Sequence, residues 1–341
     1  MKSYACGLVV GKFSPLHKGH EKLINMARSQ CDILIIISYS VPSLPGCEVE
    51  KRQRWLEGLF PDTKVLVLDP DKVVAQGLDV LPANDDREDK HRHYMADVCL
   101  KVLRMCPDAV FTAEEYGDGF ADVLSRRFGK TVKHVRTQRE TGASAVSGTL
   151  IRSDVHRWRH YLSKTVYSDF VKRICLLGGE STGKSTLSEA LAKVLNCNFV
   201  PEYGRERWEQ VGGELAYEDF LHIAEMQIRR EELASIYPWL VCDTSPLTTL
   251  FYSCHLFGQA EAKLWELANR PYDLIVLCSA DFPFVQDGTR QGNAFRELQQ
   301  AWYEQELVAR NIPFLVVSGN LEQRIAQILA LLREEALDLK G

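Results

Sequence analysis

The sequence predicts an α/β protein made of two consecutive doubly wound domains, each a parallel sheet covered by helices. Three observations carry this prediction. Apolar segments of strand length alternate with helical segments along the chain, the alternation starts again near residue 170, and each half places a glycine-containing turn after its first apolar segment. Repeated alternation with continuously apolar strands is typical of parallel sheets that are covered on both faces.

The first half contains five predicted strands separated by four predicted helices. The strands are predicted at YACGLVVGKF, DILIIISYS, KVLVLD, DAVFTA and TVKHVRT, and the helices at HEKLINMARSQ, EKRQRWLEGLF, HYMADVCLKVLRM and GFADVLSRRF. Ligands of such sheets bind beyond the carboxyl ends of the strands, so functional residues are expected in the turns that follow them.

The second half repeats this alternation after a stretch, residues 160–172, that has no strong helical or strand pattern. The domain boundary is predicted within residues 163–170, and the domains are assigned to residues 1–165 and 166–341. Beyond the first strand and helix, RICLLGGESTGKSTLSEALAKVL, strands are predicted at NFVPE, WLVCDT, YDLIVLCS and PFLVVS. Long helices are predicted at EDFLHIAEMQIRREELAS, at AFRELQQAWYEQELVARN and from Leu321.

The composition is that of a globular protein: of its 341 residues 45% are hydrophobic and 26% charged, a length that accommodates two domains. Residues 1–168 carry 25 Lys and Arg against 21 Asp and Glu, and residues 169–341 carry 16 against 25, giving net charges of +4 and −9. Proteins that hold duplex nucleic acid are more often basic overall, so DNA or RNA is disfavoured as the main partner.

The location predicted from the sequence is the cytoplasm. The ten cysteines are scattered, with no CxxC pair, and most lie inside apolar strands, which suits reduced thiols. No segment resembles a signal peptide, and no apolar run approaches the roughly 20 residues of a membrane span, so no membrane insertion is expected.

The second half opens on a nucleotide-binding motif. Residues 178–185, GGESTGKS, fit the pattern G-x-x-x-x-G-K-[ST] between an apolar strand and an amphipathic helix. In such a loop backbone N–H groups surround phosphate oxygens, Lys184 reaches the β and γ phosphates, and the Ser185 hydroxyl can ligate Mg²⁺. Besides the catalytic Lys184, the residues predicted to bind ATP are Gly178, Gly179, Glu180, Ser181, Thr182, Gly183, Ser185 and Thr186.

Three further stretches favour a small-molecule kinase. In VPEYGRER the carboxylate of Glu202 could hold or deprotonate an acceptor hydroxyl, while Tyr203 and Arg205 are predicted to bind the substrate. Asp243 ends the strand WLVCDT, where an acidic group would organise Mg²⁺, and Arg290 in QDGTRQG suits a mobile lid. Each has a plainer alternative: Asp243 as a helix cap, Tyr203 as core and Arg290 as a solvated loop residue.

The turn after the first strand, GKFSPLHKGH, holds two histidines three residues apart. His17 and His20 could ligate zinc, but no Cys or carboxylate cluster supplies the remaining ligands. Alternatively, the two imidazoles and the backbone after Gly11 face a phosphate, to which imidazole N–H groups donate hydrogen bonds.

A distant segment favours the phosphate. VSGTLIR, residues 146–152, places the hydroxyls of Ser147 and Thr149 at the start of another helix, with Arg152 one turn later. Hydroxyls, helix N–H groups and an arginine form an anion site, so the first half has two phosphate-handling elements at opposite ends of its sequence.

These two motifs together resemble the (H/T)xGH and ISSTxxR signatures of nucleotidylyltransferases, with Gly148 in place of the second serine. The resemblance implies a Rossmann-like domain in which His17 and His20 stabilise the transition state at the ATP α-phosphate. It also implies that Ser147, Thr149 and Arg152 hold the β and γ phosphates. The loss of one hydroxyl at Gly148 leaves backbone donation available. The ATP-binding residues in the first turn are then Gly11, Lys12 and Phe13.

A nucleotidylyltransferase followed by a P-loop kinase with EYGRE and DGTR is similar to the NadR family, bifunctional proteins of NAD salvage. The resemblance implies a kinase that converts nicotinamide riboside to nicotinamide mononucleotide with ATP. It implies an adenylyltransferase that joins this product to AMP from a second ATP, giving NAD and pyrophosphate, with Mg²⁺ in both domains. Some members carry an N-terminal helix-turn-helix. This chain begins close to its first strand, so we expect no operator binding. Whether copies form a homo-oligomer is open.

Two alternatives remain open on the residues. One is a nucleotidylyltransferase and kinase pair for another phosphorylated metabolite, of the flavin or pantetheine type, against which only EYGRE and DGTR argue. The other is a nucleotide-sensing regulator in which one catalytic domain has decayed to binding. The presence of Lys184, Ser185, His17 and His20 disfavours that decay.

Overall fold

The computed structural model describes residues 2–113, 116–137, 146–281 and 292–338. The chain divides into two compact units, one ending at Phe170 and the other beginning at Val171. Each unit contains a five-stranded sheet in which all neighbouring strands are parallel. The predicted α/β class with two parallel sheets is confirmed.

The segment before the second unit is helical, although its sequence has no strong pattern. Residues 164–167 form a short helix and residues 168–170 a 3₁₀ turn. The Trp55 indole N–H donates to the carboxylate of Asp169 over 2.7 Å, which attaches this segment to the first unit. The division after Phe170 lies five residues beyond the boundary predicted at residue 165.

The first unit has the strand order β3-β2-β1-β4-β5, with β1 central. Its strands are β1 (Tyr4–Gly11), β2 (Cys31–Ser38), β3 (Lys64–Val67), β4 (Ala109–Thr112) and β5 (Lys133–Arg136). Its helices are α1 (Lys18–Gln30), α2 (Val49–Leu59), α3 (Glu88–Asp97), α4 (Gly117–Phe128), α5 (Gly148–Ser153) and α6 (Lys164–Tyr167). A π-helical segment, Val98–Leu103, continues α3, and 3₁₀ turns lie at Val74–Gln76 and Arg159–Tyr161.

The register of the first sheet places the residues that end its strands at one edge. Gly11 is aligned with Ser38 at the carboxyl ends of β1 and β2, and Thr112 with Arg136 at the ends of β4 and β5. Strand order reverses beside β1, the point where doubly wound sheets open a crevice for ligands. The side chain of Leu8 is fully buried in the core beneath this crevice.

The second unit has the strand order β10-β9-β6-β8-β7, with β6 central. Its strands are β6 (Lys172–Leu177), β7 (Asn198–Val200), β8 (Trp239–Asp243), β9 (Leu274–Cys278) and β10 (Phe314–Val317). Its helices are α7 (Lys184–Leu195), α8 (Tyr203–Gln210), α9 (Tyr217–Ala234), α10 (Pro246–Phe257), α11 (Ala262–Leu267), α12 (Asn293–Ala309) and α13 (Leu321–Asp338). Leu176 of β6 is aligned with Asp243 of β8, so the polar end of β8 lies beside the strand that enters the glycine-rich loop.

Among the described residues no helix is long and apolar enough to cross a membrane. All ten cysteines are free thiols.

Candidate active sites

The turn after β1 in the first unit is shaped by Gly11 and Phe13. Phe13 takes a left-handed conformation with φ of 47° and its ring is buried. A side-chain carbon at Gly11 would lie 3.0 Å from that ring, closer than ordinary van der Waals contact allows. Glycine at this position therefore lets the chain fold back over itself and leaves the main chain of the turn exposed at the crevice.

His17 and His20 cap the first turn of α1. The backbone N–H of His20 donates to His17 Nδ1, and the backbone N–H of His17 donates to His20 Nδ1, both over 3.4 Å. The two rings stack with centroids 3.6 Å apart and planes 19° from parallel. This reciprocal arrangement is a capping box in which imidazoles replace the usual hydroxyl and carboxylate.

The capping pattern assigns the tautomer of both histidines. A neutral imidazole has one N–H and one acceptor nitrogen, and Nδ1 is the acceptor in each ring here. The proton is therefore on Nε2 of His17 and of His20, which makes that atom a hydrogen-bond donor. Two adjacent donors of this kind suit an anion better than a metal ion, which would need the unprotonated nitrogen.

The second motif of this unit lies directly against the first. Arg152 donates from Nη1 to the carbonyl oxygen of Ser14, in the turn between β1 and α1. A side-chain carbon added at Gly19, between the histidines, would lie 3.4 Å from Val146 and 3.1 Å from the His17 ring. The two motifs, far apart in sequence, form one site.

Gly148, the departure from the nucleotidylyltransferase signature, has a structural reason. A side-chain carbon there would come within 2.8 Å of the Ser14 carbonyl oxygen and 3.0 Å of Arg152 Nη1. The position is filled by the neighbouring turn, so a side chain of any kind is excluded unless the turn moves. The absence of a side chain at Gly148 thus allows the two motifs to approach each other closely.

The hydroxyls of the second motif hold the start of α5. Ser147 is the N-cap, and its Oγ accepts the Leu150 N–H over 3.1 Å, which leaves its own proton for donation. Thr149 Oγ1 accepts from Arg152 Nη2 over 3.1 Å. The hydroxyls predicted to hold phosphates are thus held on one helical turn beside the arginine.

Positive charge converges at this place. Partial burial and the charge of Arg152 lower the pKa of Lys12, because two cations close together disfavour each other's protonation. The Lys12 ammonium is held by the carbonyl oxygen of Asn84 at 3.4 Å. A site that brings two cations together favours an anionic ligand, as the phosphate prediction requires.

Sequence reasoning missed a layer of residues beneath this turn. The fully buried Arg52 donates to Ser38 Oγ over 2.7 Å and to Cys47 carbonyl oxygen over 3.0 Å. Ser38 Oγ in turn donates to the carbonyl oxygen of Lys12 over 3.1 Å. Arg52 lies in helix α2 among several other charged residues, so no sequence signature marks it as the buried one. This layer fixes the main chain from which Lys12 extends.

In the second unit the glycines of the P-loop are required by close packing. A side-chain carbon at Gly178 would lie 2.8 Å from the carbonyl oxygen of Cys278, and one at Gly179 would lie 2.6 Å from that of Arg296. Gly178 and Gly183 also have positive φ, at 145° and 80°, and Gly183 is the N-cap of α7. The predicted G-x-x-x-x-G-K-S loop therefore has the strand, turn and helix context that the motif needs.

The loop is held by its own lysine and by α12. Lys184 Nζ donates to the carbonyl oxygens of Gly178 and Gly179, both over 2.9 Å. The Gly179 N–H donates to Gln300 Oε1 over 3.1 Å, and the Glu180 N–H to Gln299 Oε1 over 3.0 Å. Two neighbouring glutamines on one helix thus bind the first half of the loop.

Two carboxylates lie near Lys184. Burial raises the pKa of Asp243, against which the Lys184 charge and a hydrogen bond from Ser185 act in the opposite direction. Burial, and then the charge of Asp243, raise the pKa of Glu202. These carboxylates and the P-loop residues interact electrostatically, so the structure brings together Lys184, Ser185, Glu202 and Asp243.

The donor set at this place fits Mg²⁺. Asp243 is only 2% exposed, and its Oδ1 has no hydrogen-bond partner among the described residues. A buried carboxylate oxygen without a partner, beside the Ser185 hydroxyl, offers the hard oxygen ligands that Mg²⁺ binds together with water and phosphate oxygens. Within the described ranges no group of three or more His, Cys, Asp or Glu side chains could hold a metal ion by itself.

A cavity of about 630 Å³ adjoins the P-loop. Its lining includes nine of the residues predicted for the kinase site: Glu180, Ser181, Thr182, Gly183, Lys184, Ser185, Thr186, Glu202 and Arg205. Apolar side chains form another part of the lining: Trp208, Leu215, Phe220, Ile223, Leu256 and Phe257. Arg290 lies outside the described residues.

The Tyr203 ring lies away from this lining among the described residues. Its side chain is 5% exposed, the Arg230 guanidinium lies 4.3 Å from the ring centroid, and its hydroxyl is 3.3 Å from His222 Nε2. This environment is that of a packed tyrosine, and the predicted substrate role of Tyr203 stays a prediction.

Two further side chains of the kinase site, Tyr252 and Arg324, had no sequence signal. The Tyr252 hydroxyl donates to Glu180 Oε1 over 3.0 Å. Arg324 of α13 donates to the carbonyl oxygens of Thr182 and Ser279, over 2.7 and 3.1 Å. Like the two glutamines of α12, these side chains reach the loop from helices more than 70 positions away, and no short motif contains them.

Comparisons with known proteins agree with this division. The family model described as cytidylyltransferase-like matches residues 8–154, and the model described as an AAA domain matches residues 173–324. Two solved structures titled as NadR protein, in complex with NAD and AMP-PNP and in complex with NR, have TM-scores of 0.58 and 0.57 at 19% and 20% identity. They cover 94% and 92% of this chain, which covers 92% and 89% of theirs, and they support the fold.

Two relatives match along nearly the whole sequence. The trifunctional NAD biosynthesis/regulator proteins NadR of Escherichia coli K12 and of Salmonella typhimurium LT2 are each 29% identical to this chain, over 96% of it and 82% of their own length. The nucleotidylyltransferase motifs, the P-loop, the order of the two matched domains and these relatives agree, and the chain is similar to NadR proteins over nearly its whole length.

Proposed function

We propose that this chain is a bifunctional enzyme of NAD salvage. Its second unit phosphorylates nicotinamide riboside with ATP to nicotinamide mononucleotide, and its first unit transfers AMP from ATP to this nucleotide, giving NAD and pyrophosphate. The observation that carries the proposal is that each of the two units contains its own cluster of side chains suited to phosphate. One is built by His17, His20 and Arg152, the other by Lys184 and Ser185. The names of the matched relatives and structures, with NAD biosynthesis, NAD and NR, support it.

In the kinase unit the acceptor hydroxyl of the riboside attacks the γ-phosphorus of ATP, and ADP leaves. We assign Glu202 to accept the hydroxyl proton, because burial raises the pKa of its carboxyl and makes it a stronger base than an exposed glutamate. Lys184 stabilises the charge on the transferred phosphoryl group, and Arg290 contributes a further cation. Substrate contacts are assigned to Arg205, which lines the cavity, and to Tyr203.

Mg²⁺ is the proposed cofactor of the kinase unit. Asp243 and the Ser185 hydroxyl would hold it, and it would supply neutralisation of the β and γ phosphate charge. The chain's own residues position the reactants. The loop N–H groups hold the phosphates and the cavity excludes water from the acceptor.

In the adenylyltransferase unit a phosphate oxygen of nicotinamide mononucleotide attacks the α-phosphorus of ATP, and pyrophosphate leaves. This nucleophile is already an anion, so no general base is needed. The Nε2–H donors of His17 and His20 stabilise the charge on the α-phosphate oxygens, and Lys12 and Arg152 hold the departing phosphates. Further ATP contacts are assigned to Gly11, Phe13, Ser147 and Thr149.

An assay of both half-reactions tests the proposal. Purified chain, ATP and Mg²⁺ are incubated with nicotinamide riboside, nicotinamide mononucleotide, riboflavin, flavin mononucleotide and pantetheine compounds, and products are separated by chromatography. We expect NAD from the first two substrates only. Turnover of flavin or pantetheine compounds alone would replace the proposal with the alternative metabolite pair. Activity of one unit alone would favour a decayed regulator.

The absence of specific DNA binding and a cytoplasmic location stay predictions. A gel-shift with the purified chain tests the first. The free thiols, which suit a reducing compartment, support the second.

A further inference from the structure

The cavity beside the P-loop contains a buried polar group that the proposed reaction does not use. Gln227 of α9 lines this cavity, and its side chain is only 2% exposed. Its amide nitrogen, Nε2, has no hydrogen-bond partner in the described part of the chain. Buried side-chain donors are nearly always paired in folded proteins, so an unpaired donor in the wall of a ligand cavity points to a ligand acceptor.

The orientation of this amide is fixed by the main chain. The Tyr203 N–H donates to Gln227 Oε1 over 3.0 Å. If the amide were rotated, its NH₂ group would meet the Tyr203 N–H and two donors would face each other. The carbonyl end of Gln227 is therefore held by the start of α8, and its NH₂ end is the one without a partner in the described part of the chain.

The neighbours of Gln227 indicate which part of a ligand it meets. Phe220 and Ile223 precede it by seven and four residues on α9, so the three side chains share one face of that helix, and all three line the cavity. The phosphates and the acceptor hydroxyl are assigned to Lys184 and Glu202. The apolar face is left for the ring of the acceptor nucleoside, and Gln227 is the polar group on that face.

We propose that Gln227 Nε2 donates a hydrogen bond to the carbonyl oxygen of the ring carboxamide, so that this residue recognises the ring substituent of the riboside. The proposal rests on the kinase function proposed above. It gives a definite specificity. A ring carboxylate also accepts from the amide N–H, so the site takes both amidated and acidic ribosides, while a ring without the substituent leaves the buried donor unpaired.

The test compares three enzymes on three substrates. The enzymes are the full chain, Gln227→Leu and Gln227→Glu, and the substrates are nicotinamide riboside, nicotinic acid riboside and ribosylpyridinium, which lacks the substituent. We expect Gln227→Leu to lose about tenfold in kcat/KM on the first two, mainly through KM, which is the size of one hydrogen bond. On ribosylpyridinium the variant should lose only what the unpaired Tyr203 N–H costs. That cost affects all three substrates alike, and it cancels when the loss on each of the first two substrates is divided by the loss on ribosylpyridinium.

Gln227→Glu separates the donor from the acceptor. The glutamate keeps an oxygen for the Tyr203 N–H but, at alkaline pH, turns a carboxylate toward the ring. That carboxylate can accept from the carboxamide NH₂ group and repels a ring carboxylate. The ratio of kcat/KM for the amidated over the acidic riboside should therefore rise about tenfold or more.

Equal losses of Gln227→Leu on all three substrates would overturn the assignment and leave Gln227 a purely structural residue. Failure of the wild type to phosphorylate any pyridine riboside would instead refute the proposed kinase function, and this assignment with it. Phosphorylation of ribosylpyridinium by the same preparations reports that the second unit, which contains Gln227, is folded.

Discussion

His17 and His20 bind each other's backbone through Nδ1 and stack ring on ring at 3.6 Å. The helix cap and the proposed phosphate site are therefore built from the same two side chains. Helix stability and proton position are set together, because the bond that caps α1 also holds the proton on Nε2.

Substitution of His20 by alanine should remove adenylyl transfer and spare phosphorylation. Loss of an oriented donor to the transition state costs about 10²- to 10³-fold in kcat. The measurement is NAD formation from nicotinamide mononucleotide and ATP, with riboside phosphorylation assayed on the same sample. His20→Asn, whose side chain can still accept the His17 N–H, serves as the control for the cap. Normal adenylyl transfer by His20→Ala would refute the assigned role.

Lys184→Ala should have the opposite effect. The charge that reaches the transferred phosphoryl group is removed, so phosphorylation of the riboside should fall by at least about 10²-fold while adenylyl transfer is unchanged. Lys193→Ala is a matched control, because Lys193 lies in the same helix, is exposed and pairs with Glu189. If both lysine variants kept full kinase activity, the P-loop would not be the site of this reaction.

Gly148→Ser restores the family's more common residue and should nevertheless impair the enzyme. The added carbon would meet the Ser14 carbonyl oxygen at 2.8 Å and push Arg152 away. Overpacking of this kind typically costs about 1–3 kcal/mol. Thermal unfolding and adenylyl transfer are the measurements. Gly58→Ala is the control, since a carbon at Gly58 meets no atom within 4 Å. A Gly148→Ser enzyme as stable and active as the wild type would contradict the packing argument.

Asp243→Asn should stabilise the protein at neutral pH. Burial raises the folded-state pKa of Asp243, so the native state holds the proton more tightly than the unfolded chain. Stability from this group is present below the ordinary carboxyl pKa and is lost as pH rises through the raised pKa. Asparagine carries no charge and escapes that loss. The melting temperature of the variant should exceed that of the wild type at neutral pH, and the difference should shrink in acid. A variant that melts lower at neutral pH would oppose this account.

Mg²⁺ should reduce the difference in melting temperature between Asp243→Asn and the wild type, because it should stabilise the wild type. A cation bound to the native state raises its melting temperature by mass action, and the Asp243 carboxylate is the proposed ligand. Titration of Mg²⁺ in thermal melts should therefore stabilise the wild type more than Asp243→Asn, with no substrate present. Equal shifts in both proteins would place the ion elsewhere.

The sequence was informative where one physical rule acts over a short span. The continuously apolar run at Ile33 to Ser38 predicts a strand of a covered sheet, and residues 31–38 form β2. GGESTGKS predicts a loop because the glycines, the lysine and the following helix are adjacent. The segment at residues 160–172 was harder, since its short helices are stabilised by contacts such as that between Trp55 and Asp169.

Long-range packing explains what could not be predicted. Nothing near Gly148 in the sequence indicates that Ser14 fills its space. The sequence shows only the loss of one hydroxyl, whereas the structure shows a close contact. The side-chain carbonyl of Gln227 accepts a hydrogen bond from the backbone N–H of Tyr203, which is more than 20 residues away in the sequence. Such pairings leave no periodicity, and only the folded chain reveals them.

The hold of Gln299 and Gln300 on the P-loop has one further consequence. The amides of Gly179 and Glu180 are already bound to protein oxygens, so they do not compete with the later amides of the loop for an anion. The two glutamines therefore direct an anion toward the amides of the loop that follow Glu180.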